Sequence, residues 1–163
     1  DYQAGFAASF FGHNDQDIND AVKRTLSESQ VLMGAGPTLL EGAFAKMFCE
    51  SVPSAESIQI TTTGSEATYH AIRIARAVTK RDHIIVMQGG YNGWHNDVVC
   101  NVIRRLEDVG GHVSPGEYPF DSLSAGVPKS HSDLVHVVNY NDLDSINYVL
   151  EKYDVACILL ETL

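Results

Sequence analysis

The pattern of apolar and polar residues changes its period near residue 64, where a strand-like stretch gives way to a helix-like one. Residues 58–63 alternate apolar and polar side chains and end in three β-branched threonines, which predicts a strand. From residue 64 to residue 79, apolar residues recur every three or four positions, as on one face of an amphipathic helix. The sequence therefore predicts a strand that turns directly into a helix through Thr63, Gly64 and Ser65.

Three further apolar runs predict strands, and amphipathic stretches predict the helices around them. The strands are expected at residues 83–88, 134–138 and 155–160, the last nearly continuously apolar, as in strands buried on both faces. One helix is expected to follow a cap at Asn14 or Asp15. A second is expected to have its apolar stripe at residues 40–48 and to end near Pro53, and a third is expected to cover residues 143–153. Short strand–helix–strand connections favour right-handed crossovers. The predicted fold class is therefore α/β, a mostly parallel sheet with flanking helices.

Periodicity fades between residues 101 and 133, where glycines and prolines interrupt a polar run. We expect a long surface loop here, and loops of this length in compact domains often carry function. One interpretation is a mobile rim of an active site. His131 and His136 stand five residues apart across a change from loop to strand, so their spacing does not predict a metal site.

Gly64 and Ser65 open the predicted central helix, and the first turn of any helix leaves several backbone N–H groups without a partner inside the helix. Such groups bind anions, and a glycine lets an anion approach the backbone closely. Ordinary helix capping also explains a Gly-Ser pair and is its commoner cause. Glu66 suits the positive end of the helix dipole without any ligand. The residues alone thus leave two interpretations, capping and a phosphate cradle.

Composition limits the classes of partner. The chain has 163 residues, of which 44% are hydrophobic, which suffices for one domain or part of one. A net charge of −10 argues against nucleic acid or an anionic membrane as partner. The three cysteines are widely spaced and lie among apolar residues, which favours buried thiols in a reducing compartment. No apolar run has membrane-spanning length, so we expect a cytoplasmic protein.

The string Gly64-Ser65-Glu66-Ala67, followed by further matches in order, resembles the class III aminotransferases, closest to the glutamate-1-semialdehyde aminomutase-like branch. The resemblance covers almost the whole chain. Its other motifs are Gly12-His13, Gly36-Pro37-Thr38 with Glu41, Val52-Pro53, the Gly-Gly-Tyr-Asn-Gly-Trp-His run at residues 89–95, Gly126-Val127-Pro128, Tyr140-Asn141-Asp142 and the Ile-Leu-Leu-Glu run at residues 158–161.

This resemblance implies a fold-type-I enzyme that transfers amino groups with pyridoxal 5'-phosphate. The family pattern places the cofactor phosphate at Gly64 and Ser65, an aromatic plate against the pyridine ring at Tyr91, and a carboxylate near the cofactor at Glu161. Without the family, Tyr91 would be interpreted as a half-buried loop tyrosine. Two positions depart from the pattern: Asn92 replaces a histidine and Thr162 replaces a proline. The implied partners are a small amino donor and acceptor, and the implied assembly is a homodimer.

The resemblance also implies that the chain is part of a larger protein. Residues 1–52 are expected to form an N-terminal helical segment, and residues 53–163 a partial large domain truncated at both ends. The Schiff-base lysine of the family lies beyond the strand that ends at Glu161, so no catalytic residue is expected within this chain and the piece alone is expected to be inactive. The alternative is a non-catalytic α/β domain that keeps the cradle only as a fold element.

Overall fold

The computed structural model describes residues 2–28, 32, 36–102 and 105–161. These residues form two compact units, one up to residue 58 and one from residue 59 onwards. The expected division between residues 52 and 53 concerns the parent protein and stays a prediction. No helix in the described ranges is both long enough and apolar enough to cross a membrane.

The first unit contains two capped helices, α1 (Gln16–Ser27) and α2 (Leu39–Ser51). Asp15 caps α1, as predicted, because its carboxylate accepts a hydrogen bond from the backbone N–H of Ile18 at 3.0 Å. A capping box opens α2: the Glu41 carboxylate accepts from the Thr38 N–H at 2.6 Å, and the Thr38 hydroxyl accepts from the Glu41 N–H at 3.2 Å. Neither helix buries a residue in the described part of the chain.

The second unit is a three-stranded parallel sheet with helices. Its elements in chain order are α3 (Gly64–Thr79), β1 (His83–Met87), α4 (Leu106–Val109), α5 (Lys129–Ser132), β2 (Val135–Val138), α6 (Leu143–Leu150) and β3 (Val155–Ile158). The strand order is β2-β1-β3, and β1 pairs in parallel with both neighbours. The α/β fold and the three strand predictions after residue 80 are thereby confirmed.

Apolar side chains cover both faces of this sheet. On one face, Ile84 and Val86 of β1 pack with Ile72, which α3 buries to 1% exposure. On the other face, Ile85 and Met87 pack with Val149 of α6. Adjacent residues of β1 point to opposite faces, so a strand buried on both sides must be apolar at every position.

The strand predicted at residues 58–63 is not formed in the described part of the chain, and that prediction is wrong. A strand requires a neighbour that accepts its hydrogen bonds, and none of the described strands pairs with this segment. The backbone N–H groups of Thr62 and Thr63 donate instead to the Glu66 carboxylate at 2.8 and 3.0 Å. Local capping therefore replaces the predicted ladder at the end of the segment.

Residues 101–133 are less exposed than the surface loop that we predicted. Tyr118 is 8% exposed and joins the core on the α3 face of the sheet. Its N–H donates to the carbonyl of Val137 at 2.8 Å, and its hydroxyl donates to the side chain of Asn139 at 2.9 Å. Cys100, directly before this segment, packs in the same cluster, and burial raises the pKa of its thiol to about 12. This irregular segment therefore contributes part of the core.

Two histidines of the sheet, His83 of β1 and His136 of β2, are hydrogen-bonded to each other and to a carboxylate. The Glu117 carboxylate lies 2.6 Å from Nδ1 of His136, and Nε2 of His136 lies 2.9 Å from Nδ1 of His83. A carboxylate only accepts, so His136 donates through Nδ1 and, when neutral, accepts from His83 through Nε2. Tyr153 stacks on His136 with 4.0 Å between ring centroids. If both imidazoles were protonated, two N–H groups would face each other and the bond between the rings would break.

We predict that the free energy of unfolding of the complete protein falls as the pH drops below about 6.5, the ordinary pKa of histidine. Desolvation, followed by the nearby His136, lowers the pKa of His83 in the fold, while Asp82 and Asp154 oppose the change. The unfolded chain then binds more protons than the folded one, so acid favours unfolding. Denaturant titrations between about pH 5 and 8 should show a weaker acid dependence in His83→Gln. An acid dependence of His83→Gln equal to that of the unsubstituted protein would contradict the prediction.

Candidate functional site

The first turn of α3 is capped by its own side chains, but not at Gly64 and Ser65. The hydroxyl of Thr63 accepts from the Glu66 N–H at 3.2 Å, and the Glu66 carboxylate accepts from the N–H groups of Thr62 and Thr63. This capping box serves residues 62, 63 and 66. The N–H groups of Gly64 and Ser65 have no hydrogen-bond partner among the described residues. Capping and two free donors therefore occur together.

The space beside Gly64 is open. A Cβ atom added to Gly64 would meet no atom within 4 Å, so the packing of the described residues does not require a glycine there. Its φ is not in the left-handed region either, so the turn does not require one. What a glycine does provide is unobstructed access to two backbone donors at the positive end of a 16-residue helix. These residues fit an anionic group such as a phosphate.

The loop of residues 89–95 lies against this helix terminus. The hydroxyl oxygen of Ser65 accepts from the N–H of Trp94 at 2.9 Å, and the hydroxyl of Thr68 donates to the carbonyl of Asn92 at 2.7 Å. A Cβ atom on Gly93 would lie 2.9 Å from both Cα and Oγ of Ser65, closer than real Cβ contacts occur. Because Ser65 accepts in this contact, its hydroxyl proton stays available to a second partner.

A buried asparagine holds the start of the same loop. Asn101 is 4% exposed, and its carbonyl accepts from the N–H of Gly89 at 2.8 Å. Its side-chain amide donates to the Gln88 side chain at 2.9 Å and to the carbonyl of Pro119 at 3.0 Å, while its side-chain oxygen accepts from the N–H of Asp121 at 2.8 Å. All polar atoms of this side chain are thus used to connect the end of β1 with the segment that follows the loop.

A cavity of about 260 Å³ opens where the three strands end. Glu161 lies at this cavity, beyond the carboxyl end of β3, as predicted for ligand sites in open parallel sheets. The cavity is lined by Met87, Gln88, Gly89, Gly90, Tyr140 and Glu161. Tyr91 follows directly along the chain and is 44% exposed.

The loop of residues 89–95 therefore connects the predicted site residues. Gly64 and Ser65 lie at its far end, beside Gly93 and Trp94. Glu161 lies at its near end, beside Gly89 and Gly90. Tyr91 lies between these two ends of the loop along the chain.

Two polar residues of the site were missed by sequence reasoning. Thr68 follows Ser65 by one helical turn, and this spacing could have indicated a second side chain on the same face. Asn101 stands in a stretch without periodicity, and its backbone has a positive φ of 50°. No local pattern singles out that residue, because its partners are 13 to 20 residues away along the chain.

Comparison with known proteins identifies the family. Residues 1–163 match the model of the family described as aminotransferase class-III. The chain belongs to the class III aminotransferases. The resemblance inferred from the motifs is thereby confirmed, and with it the expectation that the cofactor is pyridoxal 5'-phosphate.

Individual relatives include enzymes of two kinds. The chain is 36% identical over 163 residues to a glutamate-1-semialdehyde 2,1-aminomutase 2 of Geobacillus thermodenitrificans. The alignment covers 99% of this chain and 35% of the relative. It is 32% identical to a glutamate-1-semialdehyde 2,1-aminomutase of Psychrobacter arcticus, again over 35% of that protein. The crystal structure of an omega-transaminase from Sphaerobacter thermophilus superposes with a TM-score of 0.83 at 30% identity, covering 98% of this chain and 36% of the other.

A more distant solved structure supports the fold alone. A glutamate-1-semialdehyde-aminomutase from Pseudomonas aeruginosa matches with a TM-score of 0.74 at 23% identity, over 98% of this chain and 32% of that one. The chain thus spans about a third of the length of the relatives that it matches. Its own sheet is part of a fold-type-I architecture.

We predict that Gly93→Ala lowers the free energy of unfolding by about 1–3 kcal/mol, because the backbone has a φ of 121° and the added methyl group would press on Ser65. Chemical denaturation of the complete protein measures the change. Gly111→Ala is the matched control, since its added Cβ would meet nothing within 4 Å, and we expect a change within about 0.5 kcal/mol. Equal effects of the two substitutions would show that the contact between residues 93 and 65 is not tight.

Proposed function

We propose that the complete protein transfers amino groups with pyridoxal 5'-phosphate, and that Gly64, Ser65, Tyr91 and Glu161 bind the cofactor. The observation that carries the proposal is the pair of N–H groups at the start of α3 that have no hydrogen-bond partner among the described residues, with open space beside Gly64. The aminomutase and transaminase relatives support the same class of chemistry, since both names describe movement of an amino group.

The start of α3 would hold the phosphate mainly through hydrogen bonds. Each N–H donor of Gly64 and Ser65 contributes about 1.5–3 kcal/mol to a charged acceptor. The helix dipole adds about 0.3–1 kcal/mol, so the donors outweigh it. The hydroxyl proton of Ser65 provides a third donor because the oxygen already accepts from Trp94. Glu66 does not compete for these donors, since its carboxylate accepts from Thr62 and Thr63.

Tyr91 and Glu161 would contact the remainder of the cofactor. The cofactor supplies an electron sink for a substrate carbanion, and the protein supplies orientation and electrostatics. The partly exposed ring of Tyr91 offers an aromatic surface for stacking. Glu161 places a carboxylate at the cavity beside Gly89 and Gly90, where it would accept a hydrogen bond from the cofactor or the substrate.

The lysine that bonds to the cofactor is proposed to lie outside residues 1–163. Lys23, Lys46 and Lys129 form ion pairs on exposed helix surfaces, with Asp20, Glu50 and Asp133. Lys80 ends α3 in the left-handed conformation. Lys152 lies 3.4 Å from the centroid of the Tyr148 ring, and a hydrogen bond to that tyrosine raises its pKa, whereas a nucleophilic lysine needs a lowered one.

Small amino donors and acceptors are the proposed substrates, and the cytoplasm is the proposed compartment. A homodimer is the proposed assembly. It is supported by the apolar side chains that α1 and α2 leave exposed, which are Ile18, Val22, Leu26, Leu39, Leu40, Phe44, Met47 and Phe48.

The test of the proposed function is Gly64→Val in the complete protein. The valine side chain would occupy the space in front of the free N–H groups, so affinity for pyridoxal 5'-phosphate should fall by at least about tenfold, the equivalent of one lost charged hydrogen bond. Equilibrium titration with the cofactor measures it. Folding should be preserved, because the new Cβ meets no atom within 4 Å. Gly111→Val serves as control, and equal cofactor affinity in the two variants would refute the cradle.

A second prediction concerns the ring of Tyr91. Tyr91→Phe keeps the aromatic face and should retain most of the cofactor affinity. Tyr91→Ala should weaken binding by about 0.5–1.5 kcal/mol, in addition to the apolar area it no longer buries. Titrations of both variants under the same conditions compare them. If both lose the same affinity, the hydroxyl rather than the ring contacts the cofactor.

A third prediction concerns the lysine. Borohydride reduction of the cofactor-loaded complete protein should fix the pyridoxyl group to a lysine outside residues 1–163. The five lysines of this chain lie on the exposed surfaces of α1, α2 and α5, or just beyond the ends of α3 and α6. Peptide mapping by mass spectrometry locates the modified residue. A specific label on one of the five, accompanied by turnover of an amino donor, would show that this chain contains the catalytic lysine.

A further inference from the structure

Four polar atoms surround the hydroxyl of Thr68. Its Oγ1 lies 2.7 Å from the carbonyl oxygen of Asn92, 3.1 Å from that of Ser65 and 3.3 Å from that of Gly64. The fourth atom is Nε2 of His95, at 3.2 Å. The hydroxyl has one proton, and the shortest contact assigns it to Asn92. Carbonyl oxygens only accept, so the hydrogen bond between Thr68 and His95 is donated by the imidazole Nε2–H.

This donation determines the state of the other ring nitrogen. When Nε2 of His95 carries the proton of the neutral ring, Nδ1 carries a lone pair. Nδ1 is fully buried and has no hydrogen-bond partner among the described residues. The ring also contacts Tyr69 edge-on, with 5.5 Å between centroids. A proton on Nδ1 would therefore be a buried donor without an acceptor, which is costly in a folded protein.

The surroundings of His95 oppose its charging. Desolvation lowers the pKa of His95 most, Arg76 and His131 lower it further, and Asp97 raises it. These groups come from α3, α5 and the segment that follows the loop. The carboxylate of Asp97 also pairs with Arg76 at 3.1 Å and lies 3.2 Å from Nδ1 of His131, so it is shared among these groups.

We infer that His95 is a positioning residue that fixes the loop of residues 89–95 to the first turn of α3 through Thr68. The inference rests on the proposed function, because the loop carries Tyr91 and the helix turn carries Gly64 and Ser65. Within the loop, Gly90 and Gly93 stand on either side of Tyr91, so the backbone of the loop does little to restrict that residue. The neutral imidazole holds the loop, and acid releases it, because a charged ring must move to hydrate its buried Nδ1.

Two substitutions separate the hydrogen bond from simple packing. His95→Phe keeps an aromatic ring against Tyr69 but removes the donor. His95→Gln keeps an N–H donor near the position of Nε2 and cannot titrate. In the complete protein, His95→Phe should raise the dissociation constant for pyridoxal 5'-phosphate about two- to tenfold, as expected for one neutral hydrogen bond. His95→Gln should remain close to the wild type at neutral pH.

The pH profile tests the role of the neutral ring. The cofactor phosphate itself titrates near pH ~6, which affects every variant alike. The ratio of the dissociation constants of wild type and His95→Gln removes this common contribution. That ratio should rise as the pH falls below about 6.5, because only the wild type loses its positioning residue. His112→Gln, an exposed histidine on the loop after α4, should show the same profile as the wild type.

Hydrogen exchange measures the loop without the cofactor. The N–H of Trp94 is held by Ser65 in the fold, so its exchange reports the contact between the loop and α3. Mass spectrometry of peptides covering residues 89–95 should show faster exchange in His95→Phe than in the wild type and His95→Gln. Unchanged exchange in β1 confirms that the variant is folded. If His95→Phe fails to fold, His95→Leu, which also lacks a donor and leaves the bond from Thr68 to Asn92 in place, replaces it in both measurements.

The outcomes distinguish the inference from the function on which it rests. Equal cofactor affinity and equal loop exchange in wild type and His95→Phe would overturn the inference alone. A His95→Gln variant as weak as His95→Phe would also overturn it, since the shape of the imidazole rather than its donor would then matter. Absence of cofactor binding in the wild type would overturn the proposed function, while faster exchange in His95→Phe would still establish the positioning contact.

Discussion

The contact between the first turn of α3 and the loop of residues 89–95 is the constraint on which the candidate site depends. Residues of these two segments are 24 to 29 positions apart in sequence. They meet because Ser65 accepts from the backbone at 94, Thr68 donates to the backbone at 92, and Gly93 has no side chain to hold them apart. Each term is small. Together they hold the loop that carries Tyr91 against the helix start that carries Gly64 and Ser65.

The sheet fixes the position from which the loop reaches α3. In the order β2-β1-β3, the central strand is β1, and its two faces are packed against α3 and α6. The loop that follows β1 therefore begins from the most constrained strand of the unit. Asn101 fixes that beginning, and the ion pair between Arg76 and Asp97 ties the chain just beyond the loop to α3. The loop is held at both ends, while its middle, with Tyr91, stays partly exposed.

Periodic parts of the chain were predictable from the sequence, and contacts between distant residues were not. The strands β1, β2 and β3 and the helix α3 follow from hydrophobic period alone, because burial decides their pattern. The strand expected at residues 58–63 failed because its β-branched residues indicate an extended backbone but not a partner to pair with. Tyr118 and Asn101 are buried within an aperiodic segment, where only tertiary contacts select the residue. The family motifs named Gly64, Tyr91 and Glu161 as candidate site residues, whereas the contacts of Thr68 and His95 became visible only through distances.

The sequence left capping and anion binding as competing explanations for Gly64 and Ser65, and the fold assigns the capping to other residues. Thr63 and Glu66 form the cap, so the capping function needs neither Gly64 nor Ser65. A helix with a complete capping box still exposes the N–H groups between its two box residues, since the box satisfies only its own donors. Glu66 also directs its carboxylate back toward Thr62 and Thr63, away from those groups. The capping box thus stabilises the helix start in the absence of a ligand and leaves two donors for one, which makes the two explanations complementary.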